Sequence, residues 1–131
     1  MPTESSCPFC RLPSSRILEQ NSLALVIRDG YPVSEGHTLV IPKRHVGSYF
    51  DLTDSEISAI NDLLRSAKRD LDKLCHPDNY NIGINDGPAA GQTVAHVHVH
   101  LIPRYAGDVD DPRGGVRWLI PEKADYWSPR E

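Results

Sequence analysis

Ala95-His96-Val97-His98-Val99-His100-Leu101 is the stretch on which the reading of this chain turns. On a strand, alternate side chains share a face. The three histidines therefore point one way, and Ala95, Val97, Val99 and Leu101 point the other way, into apolar packing. A strand face turned to water prefers threonine, lysine or glutamate, so three histidines in five positions point to chemistry. Two chemistries suit the row. Histidines at i and i+2 can hold a catalytic zinc with a further ligand and an open water position. Alternatively, one imidazole attacks phosphorus while its neighbours hold phosphate oxygens, a task suited to a ring with an ordinary pKa near ~6.5. The upstream loop, Asn85-Asp86-Gly87-Pro88-Ala89-Ala90-Gly91-Gln92, separates them. Gly87, Gly91, Gln92 and Thr93 offer backbone N–H groups and small polar side chains, which serve anionic oxygens and which a metal does not need. The reading is phosphoryl chemistry.

Outward from that strand, predicted over 94–102, further β-prone runs lie at 23–27, 38–41 and 80–84, with glycine- and proline-rich turns between them. Thr53-Asp54-Ser55-Glu56 is a capping box, and Ile57, Ile60, Leu63, Leu64, Ala67, Leu71 and Leu74 recur every three or four residues. They predict one long helix over about 54–75, stopped by Pro77. Strands, a helix and more strands imply an α+β fold, an antiparallel sheet of about five strands carrying that helix.

The whole chain, 131 residues with 39% hydrophobic and 24% charged side chains, suits a single domain over 1–131. A net charge of −4 with both signs interspersed gives no electrostatic reason to expect nucleic acid or a membrane as partner. The longest purely apolar run, Leu23-Ala24-Leu25-Val26-Ile27, is too short to span a bilayer. Met1-Pro2-Thr3-Glu4-Ser5-Ser6 carries no leader pattern, so a cytoplasmic location is expected. Three cysteines fit a reducing compartment better than a disulfide scaffold. Cys7-Pro8-Phe9-Cys10 sits at the extreme N-terminus and not after a strand, which favours half of a metal site over a redox pair. Cys75 reads as a packed or incidental thiol.

The segment from Gly91 to Arg104 resembles the signature of the histidine triad (HIT) family of nucleotidyl hydrolases and transferases. Gly36-His37-Thr38-Leu39-Val40-Ile41-Pro42-Lys43 and Asn85-Asp86-Gly87-Pro88 resemble two further blocks of the same family. The likeness covers about 7–106, leaving 107–131 as a tail. Asp86-Gly87-Pro88, Gln92-Thr93, Arg104 and Ala106-Gly107-Asp108 are similar to the fragile-histidine-triad branch of dinucleoside polyphosphate hydrolases.

The resemblance implies a HIT-like homodimer paired through a helix and a strand edge. It also implies a role for each matching position. His98 is similar to the nucleophile, which attacks the α-phosphorus of a purine nucleotide and forms a nucleotidyl-histidine that water then hydrolyses. The His96 carbonyl would orient the His98 ring. His37, His100, Asn85, Gln92 and Thr93 match phosphate contacts, although His37 read alone is also a turn residue. Asp29 matches a ribose binder, or else simply a turn residue in Asp29-Gly30. Phe9, Leu12 and Ile27 fall where the family lines its base pocket, and each also reads as plain core. Cys7 and Cys10 fall where mainly microbial members carry a zinc half-site, completed there by positions matching His45 and His96. The implied cofactor is structural zinc, with none needed for catalysis.

The expected substrate is a dinucleoside polyphosphate. A nucleoside phosphoramidate is the alternative, or a catalytically weak, zinc-stabilised nucleotide-binding module. The tail, with Arg113 and Arg117, reads equally as a lid meeting polyphosphate or as a dimer arm.

Overall fold

A computed structural model describes residues 6–129. The expectation about a leader rests on residues 1–6, of which 1–5 lie outside the described residues. Five antiparallel strands, β1 (Glu19–Gln20), β2 (Ala24–Arg28), β3 (Thr38–Pro42), β4 (Asn79–Gly83) and β5 (Val99–Arg104), form one sheet in the order β1-β2-β3-β5-β4. One helix, α1 (Asp54–Leu74), lies across it. The α+β architecture is the expected one.

The helix begins where its capping box places it. Glu56 N donates to the Thr53 hydroxyl at 3.1 Å, and Thr53 N donates to the Glu56 carboxylate at 2.9 Å. Arg44 also clasps that buried carboxylate, at 2.8 and 3.0 Å, and its hydrogen bonds hold Glu56 down at about 2. At the other end Cys75 N closes on Leu71 O, and His76, the residue before Pro77, leaves the helix at φ 51°. The predicted stripe, Ile60, Leu63, Ala67 and Leu71, packs on Ala24, Val26, Val40, Val97, Val99 and Leu101. Each large side chain fully buried there contributes roughly 1.5–3 kcal/mol. At Gly36 (φ 87°) a Cβ would stand 2.8 Å from Leu71 Cδ2, so only glycine lets the turn before β3 close over the helix.

The opposite face carries Leu25, Ile27, Leu39 and Ile41, with Phe9, Leu12 and Ile17 laid over them. Leu39 pairs with His100, which puts the histidines on this second face.

Two elements differ from expectation. The last strand starts at Val99 and not at 94, because His96 N donates to Val94 O and Val97 N donates to Val46 O, bending the chain before the ladder with β3 begins. The strand then continues through Pro103, beyond the point where β3 ends at Thr38↔Leu101. Pro103 pairs with Tyr80 on one side only, and its missing N–H leaves no ladder bond unmade. The two-residue β1 was not predicted. Among the described residues no helix is long and apolar enough to cross a membrane.

Candidate active site and metal centre

The bend at 94–98 and the start of β5 bury His96 and His98 and leave His100 at the edge of a cavity. His98 Nδ1 donates to the main-chain oxygen of His96 at 2.9 Å. A carbonyl only accepts, so this bond fixes the hydrogen on Nδ1 and leaves Nε2 with a free lone pair. The His98 and His100 ring centroids are 5.1 Å apart.

A second chain of bonds fixes the next pair. Val33 N donates to His37 Nδ1 at 3.1 Å, so the His37 hydrogen sits on Nε2 and points to His100 Nδ1, 2.9 Å away. His100 must then carry its own hydrogen on Nε2. That nitrogen is buried and has no hydrogen-bond partner among the described residues. A buried donor without a partner is costly, and it is the kind of group that a ligand oxygen satisfies. Burial lowers the pKa of both rings, and for His100, with His98 and His37 adding to the effect, it falls to about 4. Asp29 opposes that shift: its carboxylate lies 3.4 Å from His37 Nε2 and 4.0 Å from His100 Nδ1. Asp29 also accepts from Tyr31 N at 2.7 Å. Both rings are neutral at neutral pH, as the directed chain of bonds requires.

Cys7, Cys10, His45 and His96 converge, with their ligand atoms all within 4.8 Å of one another. Cys10 Sγ is 3.2 Å from His45 Nδ1, and both thiols are 3.5 Å from His96 Nδ1. A tetrahedral zinc with ordinary bond lengths separates sulfur and nitrogen ligands by about 3.5 Å. His96 Nε2 donates to Pro42 O at 2.8 Å, which turns the bare Nδ1 toward the thiols, the outer-shell arrangement that a metal-ligating histidine needs. Asp29, His37 and His100 form a second cluster of possible ligands. There the same test fails: Val33 N–H occupies His37 Nδ1, and the hydrogen stays on the nitrogen that would have to bind the ion. The residues fit a metal at the cysteine cluster and a hydrogen-bond relay at the other.

Phe9, between the two cysteines, sets its ring edge-on against His96 (centroids 5.8 Å) and His98 (5.1 Å). Leu12 and Ile27 join it in the apolar cluster on this face, and Ile17, Leu25, Leu39 and Ile41, not singled out from sequence, complete it. Their period-two alternation along β2 and β3 is the signal that could have found the last three. Asn85 lines the cavity beside His37 and His100, whereas Thr93 is exposed. The Gln92 amide is engaged by backbone groups of its own loop, of the segment after His45 and of Val94. Its oxygen accepts from Gly87 N at 2.8 Å, and its nitrogen donates to Gly47 O at 2.8 Å and Val94 O at 3.0 Å.

The cavity that opens beside His100 has a volume of about 1080 Å³. Its walls include Ile84, Ile102, Val109, Val116, Trp118 and Leu119, so the tail supplies one side. Arg104 is the one cation among the described residues that line it, and Asp108 clasps its guanidinium at 2.8 and 2.9 Å. Glu35 and Asp111 also stand at the rim. Arg113 lies over the Trp127 ring at 4.5 Å and pairs with Asp111, and Arg117 lies over Tyr126 at 4.7 Å. Both tail arginines are thus engaged within the tail.

The family model for the HIT domain matches residues 11–107. The chain is 38% identical over 104 residues to the asymmetrical bis(5′-nucleosyl)-tetraphosphatase of Schizosaccharomyces pombe, a match covering 79% of this chain and 57% of that protein. It is 38% identical over 103 residues to the adenosine 5′-monophosphoramidase of the same organism, covering 76% and 74%. Among solved structures, a zinc-bound histidine triad family protein from Mycobacterium smegmatis superposes with a TM-score of 0.72 at 33% identity, covering 93% of this chain and 96% of that one.

Proposed function

The chain belongs to the HIT family, and from that premise we propose that it hydrolyses a purine nucleotide at the α-phosphorus, in two steps, through a nucleotidyl intermediate on His98. The observation that carries this reading is the bond from His98 Nδ1 to His96 O, which leaves Nε2 bare. In the first step a bond forms from Nε2 to phosphorus. The bond from phosphorus to the leaving group breaks, and its electron pair departs with that group, which takes a proton from solvent. In the second step water supplies an oxygen to phosphorus and gives up a proton. The N–P bond returns its pair to Nε2, so one water is consumed in all. The orphaned His100 Nε2–H is the donor best placed for a phosphoryl oxygen, with His37 fixing its direction. Asn85 and Thr93 are further phosphate contacts, Gln92 serves that loop, and Asp29 takes the ribose. Phe9 and Leu12 take the base, backed by the fully buried Ile27.

Rapid quenching of turnover on a substrate labelled at the α-phosphorus tests the reading. We expect an acid-labile label on the peptide that contains His98. Retained nucleotide binding with no adduct and no turnover would reduce the protein to a binding module.

Two leaving groups compete. The residues 86–88 and 92–93 resemble the dinucleoside polyphosphate branch. The cavity beside His100 favours a second reading, a nucleoside phosphoramidate. Its walls are mostly apolar, the one arginine among the described residues that line it is already paired, and Glu35 stands at its rim, which suits an amine better than a departing polyphosphate. Comparing kcat/KM for diadenosine tetraphosphate and for an adenosine phosphoramidate decides between them.

Cys7, Cys10, His45 and His96 would hold a structural zinc. Four protein ligands close the shell, so the ion supports structure and the steps above run on side chains alone. A cytoplasmic setting keeps those thiols reduced and available. Residues 7–106 would make up the core of a single domain, with 107–131 its tail. Pairing with a second copy through α1 and the sheet edge β4, where Ile82 is 59% exposed, completes the reading. Light scattering at micromolar concentration should give twice the chain mass, and a monomer contradicts it.

A further inference from the structure

We infer that metal binding at Cys7, Cys10, His45 and His96 is thermodynamically linked to nucleotide binding, and that Phe9 is the residue that links them. The inference rests on the reading of Phe9 as part of the base wall, and it concerns binding, not turnover. Phe9 lies two residues after one thiol and one residue before the other, in a segment that belongs to neither strand nor helix. Its ring touches both a metal-cluster histidine, His96, and the bare-nitrogen histidine, His98. It also covers the apolar cluster of Leu25, Ile27, Leu39 and Ile41.

An ion at the four ligands ties the backbone on both sides of Phe9 to the segments that follow β3 and precede β5, through His45 and His96. Without it, the three thiol-to-imidazole contacts of the segment are ordinary weak ones, and the ring is held less firmly at the nucleotide face. A nucleotide arriving at that face must then first order Phe9, and this ordering costs affinity. Linkage is reciprocal: whatever factor the ion adds to nucleotide affinity, the nucleotide adds to ion affinity. His98 shares the effect, because Phe9 packs on its ring and the His96 backbone holds its Nδ1.

The test uses the full chain and AMP as probe. Calorimetry on zinc-loaded and chelator-stripped protein, with circular dichroism confirming the fold of each, measures AMP affinity in both states. Competition against a colorimetric chelator, with and without saturating AMP, measures zinc affinity. We expect AMP to bind about tenfold tighter to the loaded protein, and zinc to be held tighter by the same factor when AMP is present, within the ~5–150-fold usual for coupled sites. In zinc-loaded Phe9→Ala, metal content should be unchanged, AMP binding weaker and the coupling gone. Phe9→Ala also controls for direct association of AMP with free zinc. Equal AMP affinity in folded loaded and stripped protein overturns the inference. So does coupling that survives in Phe9→Ala, or a stripped chain that unfolds, since the ion would then act through the whole fold. Absence of AMP binding to the loaded protein overturns this inference and the reading of the nucleotide site together. Linkage without a His98 adduct overturns only the catalytic reading.

Discussion

His98 is oriented by its near neighbour: its Nδ1 donates to the main-chain oxygen of His96, 2.9 Å away, while the side chain of His96 turns to Cys7 and Cys10. One residue thus serves two sites. Its backbone sets the tautomer of the proposed nucleophile, and its ring belongs to the metal cluster.

His98→Ala removes the proposed covalent route and leaves that backbone in place. Turnover should fall by about a thousandfold or more in a protein that still folds and still binds AMP. Loss of the buried ring on which Phe9 packs should lower the melting temperature and weaken AMP binding by a smaller factor. Steady-state kinetics, calorimetry and a thermal melt check the three parts. Substantial turnover in His98→Ala would remove the histidine from the mechanism.

The metal cluster makes a separate prediction. Protein purified without chelator or affinity metal should contain close to one zinc per chain by elemental analysis. Replacing both Cys7 and Cys10 by serine should lower the melting temperature by roughly 10 °C, the equivalent of ~2–3 kcal/mol in a domain of this size. Cys7 is fully buried and Cys10 exposed, so Cys7→Ser alone should cost more than Cys10→Ser. Metal-free native protein with an unchanged melt for the double variant contradicts this.

The neutral relay predicts a pH dependence of stability. His100 falls from an ordinary 6.5 to about 4 on folding because it is buried, and His37 moves in the same direction. Above pH 6.5 neither state binds these protons. As pH falls from 6.5 toward 4 the unfolded chain takes them up and the folded one does not, so stability drops. For His100 the loss amounts to roughly 1–3 kcal/mol. Glu56, held at about 2, contributes in full above 4.5 and loses its contribution only as pH falls below that. Urea titrations at pH 7.0 and 5.0 should therefore show a loss for the native chain that is smaller in His100→Asn, which keeps the His37 share. Equal slopes in the two proteins would refute the buried neutral ring.

Those features were unequally legible in the sequence. The helix could be read because its cap and stripe are local: Thr53, Glu56 and the i, i+3, i+4 apolar residues need nothing distant to define them. The face shared by His98 and His100 followed from alternation, and it survives because Val97, Val99 and Leu101 all pack on α1. The start of β5 was misplaced because the bond from Val97 N to Val46 O comes from a segment about fifty residues away. β1 escaped because two polar residues, Glu19 and Gln20, carry no pattern and pair only through Val26 and Leu25. The direction of the Val33–His37–His100 chain is likewise a property of contacts and not of spacing. So is the engagement of Arg113 and Arg117 by tail aromatics and carbonyls.

Gln92 gives the sharpest contrast between a role expected from resemblance and one supported by contacts. As a direct phosphate ligand it would affect turnover and leave the free protein alone. Its amide instead bridges Gly87 N, Gly47 O and Val94 O, joining the glycine loop to the segment that follows His45. Gln92→Ala leaves three backbone groups without that partner. At about 1 kcal/mol per bond, less for those that water reaches, the loss of stability should be ~1–3 kcal/mol. Gln92→Glu keeps the acceptor for Gly87 N but sets a carboxylate against the Gly47 and Val94 carbonyls. It should be at least as destabilising, although it is closer in shape. A phosphate ligand predicts no difference between the free proteins, with both melts at the native temperature. Denaturant midpoints of the two variants, measured without nucleotide, therefore separate the roles before any substrate is added. Native midpoints for both would return Gln92 to the phosphate.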